Sequence, residues 1–99
     1  MVPEGTVKID FGCFRNTDIE TVTLPSSLKE IGCEAFGWCR NLKEVILSDG
    51  LESIMNGCFR GTSIKEIIIP KNVKIIKNCV FSGYIDENKY NRSLEKVTL

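Results

Sequence analysis

The sequence predicts a repeat solenoid of four short coils, and three observations carry that prediction. Phenylalanines recur at Phe14, Phe36, Phe59 and Phe81, at spacings of 22, 23 and 22 residues. An isoleucine stands five positions before each of them: Ile9, Ile31, Ile54 and Ile76. Beyond a turn after each phenylalanine a six-residue signature returns, as IETVTL at 19–24, LKEVIL at 42–47, IKEIII at 64–69 and LEKVTL at 94–99. A period of this length marks units that bury their apolar faces only by stacking on their neighbours.

Each unit begins with an aliphatic ahead of its isoleucine: Leu28, Leu51 and Val73 stand three residues before it, and Val7 stands two before Ile9. A compact apolar residue then precedes the phenylalanine, namely Cys13, Ala35, Cys58 or Val80, and this column is expected to be buried. On their own, Leu28, Ile31 and Ala35 could mark one face of a helix. The segments are too short for a stable helix, however, and Gly12, Gly32 and Gly57 interrupt them. The second signature carries aliphatics at its first, fourth and sixth places, and the last two alternate as in a strand. Pro25 and Pro70 follow two of these strands and stop them. The units so defined run over about 3–24, 25–47, 48–69 and 70–99, the last with an insert at 82–93.

The pattern L-x-x-I-x-x-x-A-F, a turn, then L-x-x-V-x-L-P resembles the leucine-rich repeats of the BspA-like type. The resemblance covers nearly the whole chain in four copies. It implies a curved parallel β-sheet of short strands, with turns and short helical segments on the other face. It also implies protein recognition or adhesion, commonly on a cell surface or outside the cell.

Alternation assigns the side chains of each strand to two faces. In LKEVIL, Leu42, Val45 and Leu47 are expected in the core, with Glu44 and Ile46 outward. Across the four strands one outward column is Thr21, Glu44, Glu66 and Lys96, and the next is Thr23, Ile46, Ile68 and Thr98. An apolar pair bordered by charges suits a contact patch, although β-branched residues favour sheets for their own reasons. Four strands ~4.8 Å apart and ~13 Å long cover only ~250 Å², against ~800 Å² per partner in a standard interface. Other surfaces must therefore contribute, or the chain must be a piece of a longer array.

Two other features stand out as partner-binding candidates. The insert of the fourth unit carries Tyr84, Ile85 and Tyr90 among polar residues, and loop extensions on rigid scaffolds commonly recognise partners. The alternative is a tolerated insertion folded back on the core. Trp38 is the chain's one tryptophan and shares a turn column with Asn16, Gly61 and Gly83. It is expected to be partly exposed, either as an anchor or lying over neighbouring turns. Phe11 is expected to cover the open N-terminal end.

The five cysteines read as free thiols. Cys13 and Cys58 share a column two coils apart, a separation of ~10 Å, whereas a disulfide needs Cα atoms within ~7 Å. Cys33 and Cys79 occupy different columns, and Cys39 falls on the turn after Phe36. No C-x-x-C pair and no histidine are present to build a zinc site. Asp86, Glu87 and Asn88 lack the spaced ligands of a calcium loop. Asn91-Arg92-Ser93 is a glycosylation sequon, meaningful only in a eukaryotic secretory route.

Composition narrows the function. The 13 basic and 13 acidic residues balance and form no basic tract, which argues against nucleic acid. No apolar run approaches the ~20 residues of a membrane span, and MVPEGTVKID lacks the features of a signal peptide. The absence of histidine removes the commonest general base and every Ser-His or Cys-His nucleophile. No cofactor, metal or catalytic set is expected. The expected function is that of a non-enzymatic protein–protein interaction module within a surface or secreted adhesion protein. The alternative is a small stand-alone intracellular inhibitor or regulator that blocks a larger protein, for which free thiols in a reducing cytoplasm are apt. Neither chain end looks like a dedicated cap, so an excised fragment, end-to-end self-association or edge docking is expected.

Overall fold

The computed structural model describes residues 2–77, Val80, and the backbone of the strand at 96–98. Eight short strands run in chain order: β1 (Lys8–Ile9), β2 (Thr21–Thr23), β3 (Glu30–Ile31), β4 (Glu44–Ile46), β5 (Ser53–Ile54), β6 (Glu66–Ile68), β7 (Ile75–Ile76) and β8 (Lys96–Thr98). Each coil supplies one two-residue strand and one three-residue strand. The two-residue strands form a parallel four-stranded sheet in the order β1-β3-β5-β7. The three-residue strands form two parallel pairs, β2-β4 and β6-β8. The sequence pattern missed the two-residue strands, and it expected one continuous sheet where the structure has two pairs.

The strand registers match the outward columns. Thr21 pairs Glu44 and Thr23 pairs Ile46; Glu66 pairs Lys96 and Ile68 pairs Thr98. In β2, β4 and β6 the middle residue alone is buried. The inward set of the second coil, Leu42, Val45 and Leu47, lies in the core as alternation requires.

A third strip joins the coils where helical segments were expected. No helix occurs among the described residues; the chain makes tandem turns instead. Alternate amides there do two jobs. Gly12, Phe14 and Asn16 donate to Cys33 O, Ala35 O and Gly37 O of the next coil, while Cys13, Arg15 and Thr17 donate back to Asp10 O, Gly12 O and Phe14 O. The second coil repeats this: Glu34, Phe36 and Trp38 donate forward, and Ala35, Gly37 and Cys39 donate back. Closing a turn at every second residue consumes the amides that a helix would use for its own ladder.

These turns place a left-handed residue two positions before and two after Phe14, Phe36 and Phe59. The first coil uses Gly12 (φ 61°) and Asn16 (φ 62°), and the third uses Gly57 (φ 64°) and Gly61 (φ 71°). The second coil places Glu34 (φ 52°) and Trp38 (φ 60°) there, at a cost of about 1–2 kcal/mol each relative to an unstrained residue.

The core is a column of rings and aliphatics along the axis. Phe36 stacks on Phe14 at 5.2 Å and on Phe59 at 5.5 Å. Leu28, Ile31, Ala35, Leu51, Ile54 and Ile64 are fully buried around it. Gly32 is required by packing. A Cβ there would come within 2.5 Å of Ile9 O, the carbonyl to which the Gly32 amide donates.

The first coil departs from the core pattern. Cys13 is exposed although its column mates Ala35, Cys58 and Val80 are buried. Val7 is 57% and Phe11 67% exposed, so Phe11 does not cover that end. Within this chain the first coil has no neighbour on its N-terminal side to cover these residues. Phe81, Cys79 and the insert with Tyr84, Ile85 and Tyr90 lie outside the described residues.

Candidate functional site

Alternation in β4 and β6 turns Ile46 and Ile68 to solvent side by side. They are 52% and 71% exposed, an unfavourable placement for two large apolar side chains. β4 is bridged only to β2, and β6 only to β8. Just ahead of the strands the Ser63 amide still donates to Leu42 O, so the coils stay stacked while the ladder opens. Over this seam lies a cleft of about 400 Å³. Its floor is Val45 and Ile67, both buried. Ile46, Ile68, Leu47 and Pro70 give it apolar walls, and Glu44, Glu66 and Asp49 stand among its lining.

The cleft brings together four of the candidates read from the sequence: Glu44, Ile46, Glu66 and Ile68. Asp49 and Pro70 were missed; they follow their strands by one or more residues and show no periodic signal. Trp38 does not line the cleft. Tyr84, Ile85 and Tyr90 lie outside the described residues.

Trp38 instead packs along the solenoid. A Cβ on Gly61 would fall 2.2 Å from Cε3 of the indole, so the ring lies directly over the next coil's turn. Gly61 thus supplies both the left-handed φ and the room for the indole. Of the two sequence expectations for Trp38, its position fits the one in which it covers a neighbouring turn.

The ion pairs lie elsewhere and link successive coils. Lys8 pairs Glu30 at 3.4 Å, Arg15 pairs Glu34 at 3.5 Å and Lys43 pairs Glu20 at 3.8 Å. All are at least partly exposed to solvent, where such pairs contribute little. Among the described residues Glu44, Asp49 and Glu66 form no ion pair. Lys96 stands opposite Glu66 on the β8 side, away from the seam.

The cysteines Cys13, Cys33, Cys39 and Cys58 are free thiols. Cys39, just past the turn after Phe36, is fully buried; its thiol donates to Phe14 O at 3.0 Å. Cys58 Sγ lies within 3.0–3.2 Å of Met55 O, Gly32 O and Ile31 O. Burial pushes the Cys58 thiol up to about 12, which makes it a poor nucleophile. Among the described residues no three His, Cys, Asp or Glu side chains converge as metal ligands. No described helix is long and apolar enough to cross a membrane.

Stacked coils, parallel short strands and an axial phenylalanine column define a leucine-rich-repeat solenoid. The family model "BspA type Leucine rich repeat region (6 copies)" matches residues 2–98. The chain belongs to that family, the BspA-type leucine-rich-repeat proteins. Among solved structures it is similar to a leucine-rich repeat protein from Bacteroides capillosus, with TM-score 0.78 and 28% identity over 99% of this chain and 70% of the other. It is also similar to the pneumococcal vaccine antigen PcpA, with TM-score 0.72 and 27% identity over 94% of this chain. A Bacteroides ovatus leucine-rich repeat protein shares the fold at 24% identity and TM-score 0.62, over 95% of this chain and 29% of the other. The chain spans 21% of the length of PcpA. It has no match among curated proteins.

Proposed function

We propose that the chain is a non-enzymatic protein-recognition module of a surface or secreted adhesion protein, and that it binds through the outward face of β4 and β6. The observation that carries this reading is the adjacent exposure of Ile46 and Ile68 over an open seam, beside the buried strand centres Val45 and Ile67. Likeness to a vaccine antigen and family membership support it. Trp38 and the insert residues Tyr84, Ile85 and Tyr90 are proposed as further contacts, since the cleft alone is smaller than a standard interface.

The test is affinity capture from host-surface and secreted protein fractions, with any recovered protein purified and rebound in solution. Wild type is compared with an Ile46→Ser/Ile68→Ser double variant. Loss of a defined partner by the double variant, at unchanged thermal stability, supports the reading. Equal binding by both proteins refutes it. A second reading, an intracellular inhibitor, draws on the free thiols of Cys13, Cys33, Cys39 and Cys58, which suit a reducing compartment. Recovery of one cytoplasmic partner and no surface protein would favour it.

A further inference from the structure

We propose that the β4–β6 cleft takes one apolar side chain from an extended peptide segment whose neighbouring residues are lysine or arginine. The proposal deepens the recognition reading and depends on it.

The spacing of the strands decides what enters. Cα atoms of β4 and β6 still approach within 8 Å, whereas a strand added between them would hold them ~9.6 Å apart, two ladder spacings. Backbone insertion between the strands is therefore excluded, and an occupant must sit in the cleft on their outward face. A cleft of about 400 Å³ lies near the lower end of the ~300–1,000 Å³ range of ligand pockets, which fits one large side chain. Val45, Ile67, Ile46 and Ile68 offer that side chain an apolar surface.

Charge selects the flanks. Glu44 and Asp49 stand in the lining without an ion-pair partner among the described residues. Elsewhere on the solenoid Glu20, Glu30 and Glu34 each have a cationic neighbour one coil away. Glu66 adds a third carboxylate to the cleft, with Lys96 on its far side. Cations beside the anchoring residue would meet these carboxylates, and an anionic headgroup or an acidic segment would be repelled. The same charges disfavour a second copy of this chain. A two-fold contact across this face would set Glu44, Asp49 and Glu66 against their own counterparts.

The test uses fluorescein-labelled nonapeptides with a central phenylalanine flanked on each side by two lysines. Two controls replace the lysines by glutamates or the phenylalanine by serine. Fluorescence polarisation is expected to show the lysine–phenylalanine peptide binding about tenfold or more tightly than either control, and weakening as salt is raised. Ile68→Ser is expected to weaken it about tenfold. Glu44→Gln and Asp49→Asn are expected to weaken it about two- to fivefold each. These side chains are exposed, so far-UV circular dichroism and urea midpoints should match wild type. Equal binding of the glutamate peptide, full binding to the Ile46→Ser/Ile68→Ser variant, or no binding of any peptide overturns the proposal. If that double variant loses a captured partner while the peptides show no preference for lysine, the recognition reading stands and the proposed chemistry fails. If the lysine peptide binds as expected but the double variant keeps its partners, the recognition reading fails and the cleft's selectivity stands.

Discussion

The two strand-bearing faces of the solenoid come from the same coils, yet one is continuous and the other is cut. On the two-residue-strand face, β1, β3, β5 and β7 are bridged throughout. Gly32 lets one coil close on the carbonyl of the last, with Gly32 N donating to Ile9 O at 2.7 Å. On the three-residue-strand face the ladder stops between β4 and β6, and there two isoleucines and three carboxylates meet solvent. The coil feeding β4 carries one more residue between Phe36 and its strand than the next coil carries between Phe59 and β6. A continuous face holds the stack together, which leaves the other face free to open without dissolving the fold.

The comparison can be broken at its base by Phe36→Ala. Phe36 is fully buried between two rings, so the substitution should cost about 3–5 kcal/mol and unfold both faces together in urea. Gly32→Ala attacks the continuous face alone. Its Cβ meets backbone that cannot move aside, and a loss of about 1–3 kcal/mol is expected, visible as a lower urea midpoint.

Alkaline pH should weaken the same junction through Cys58. Its thiol is neutral in the folded chain up to about 12 but ionises near 8.5 once unfolded. The stabilisation from keeping it protonated is complete below the unfolded value and is lost as pH rises toward the folded one. Unfolding free energy should fall by about 1.4 kcal/mol per pH unit across that window, and Cys58→Ala should remove this slope from the urea-versus-pH profile.

Glu34→Gly sharpens the picture of the turn strip. It relieves a left-handed φ of 52° and loses one partly exposed ion pair. A net gain of about 0.5–1 kcal/mol is expected, once glycine's greater freedom in the unfolded chain is counted. The smallest effect belongs to the open face: Ile68→Ser should change stability by less than about 0.5 kcal/mol. Hydrogen exchange should separate the faces directly, with the β6 amides turned toward β4 exchanging faster than those of β3 and β5.

Much of the architecture was legible because it depends on period. The phenylalanine column, the inward Leu42, Val45 and Leu47, and the outward Glu44, Ile46, Glu66 and Ile68 all follow from spacing and alternation. The two-residue strands did not, because two residues cannot display a period of two. Cys13 misled for a different reason: it lies in the first coil, which within this chain has no coil on its N-terminal side, and membership of a column does not reveal that. The seam was not legible either, since β4 and β6 have closely similar sequences, EVI and EII, and periodicity does not show which neighbours are bridged. Trp38 was half legible. Its column pointed to a turn, but only coordinates show that Gly61 makes room for the ring.

That arrangement also gives the protein an optical gauge. The single tryptophan is seated across the junction of the second and third coils, the same junction at which the ladder opens. Intrinsic fluorescence from this chain therefore reports the parting of those two coils in particular, and its emission should shift to the red when they separate, even while the remaining coils stay folded.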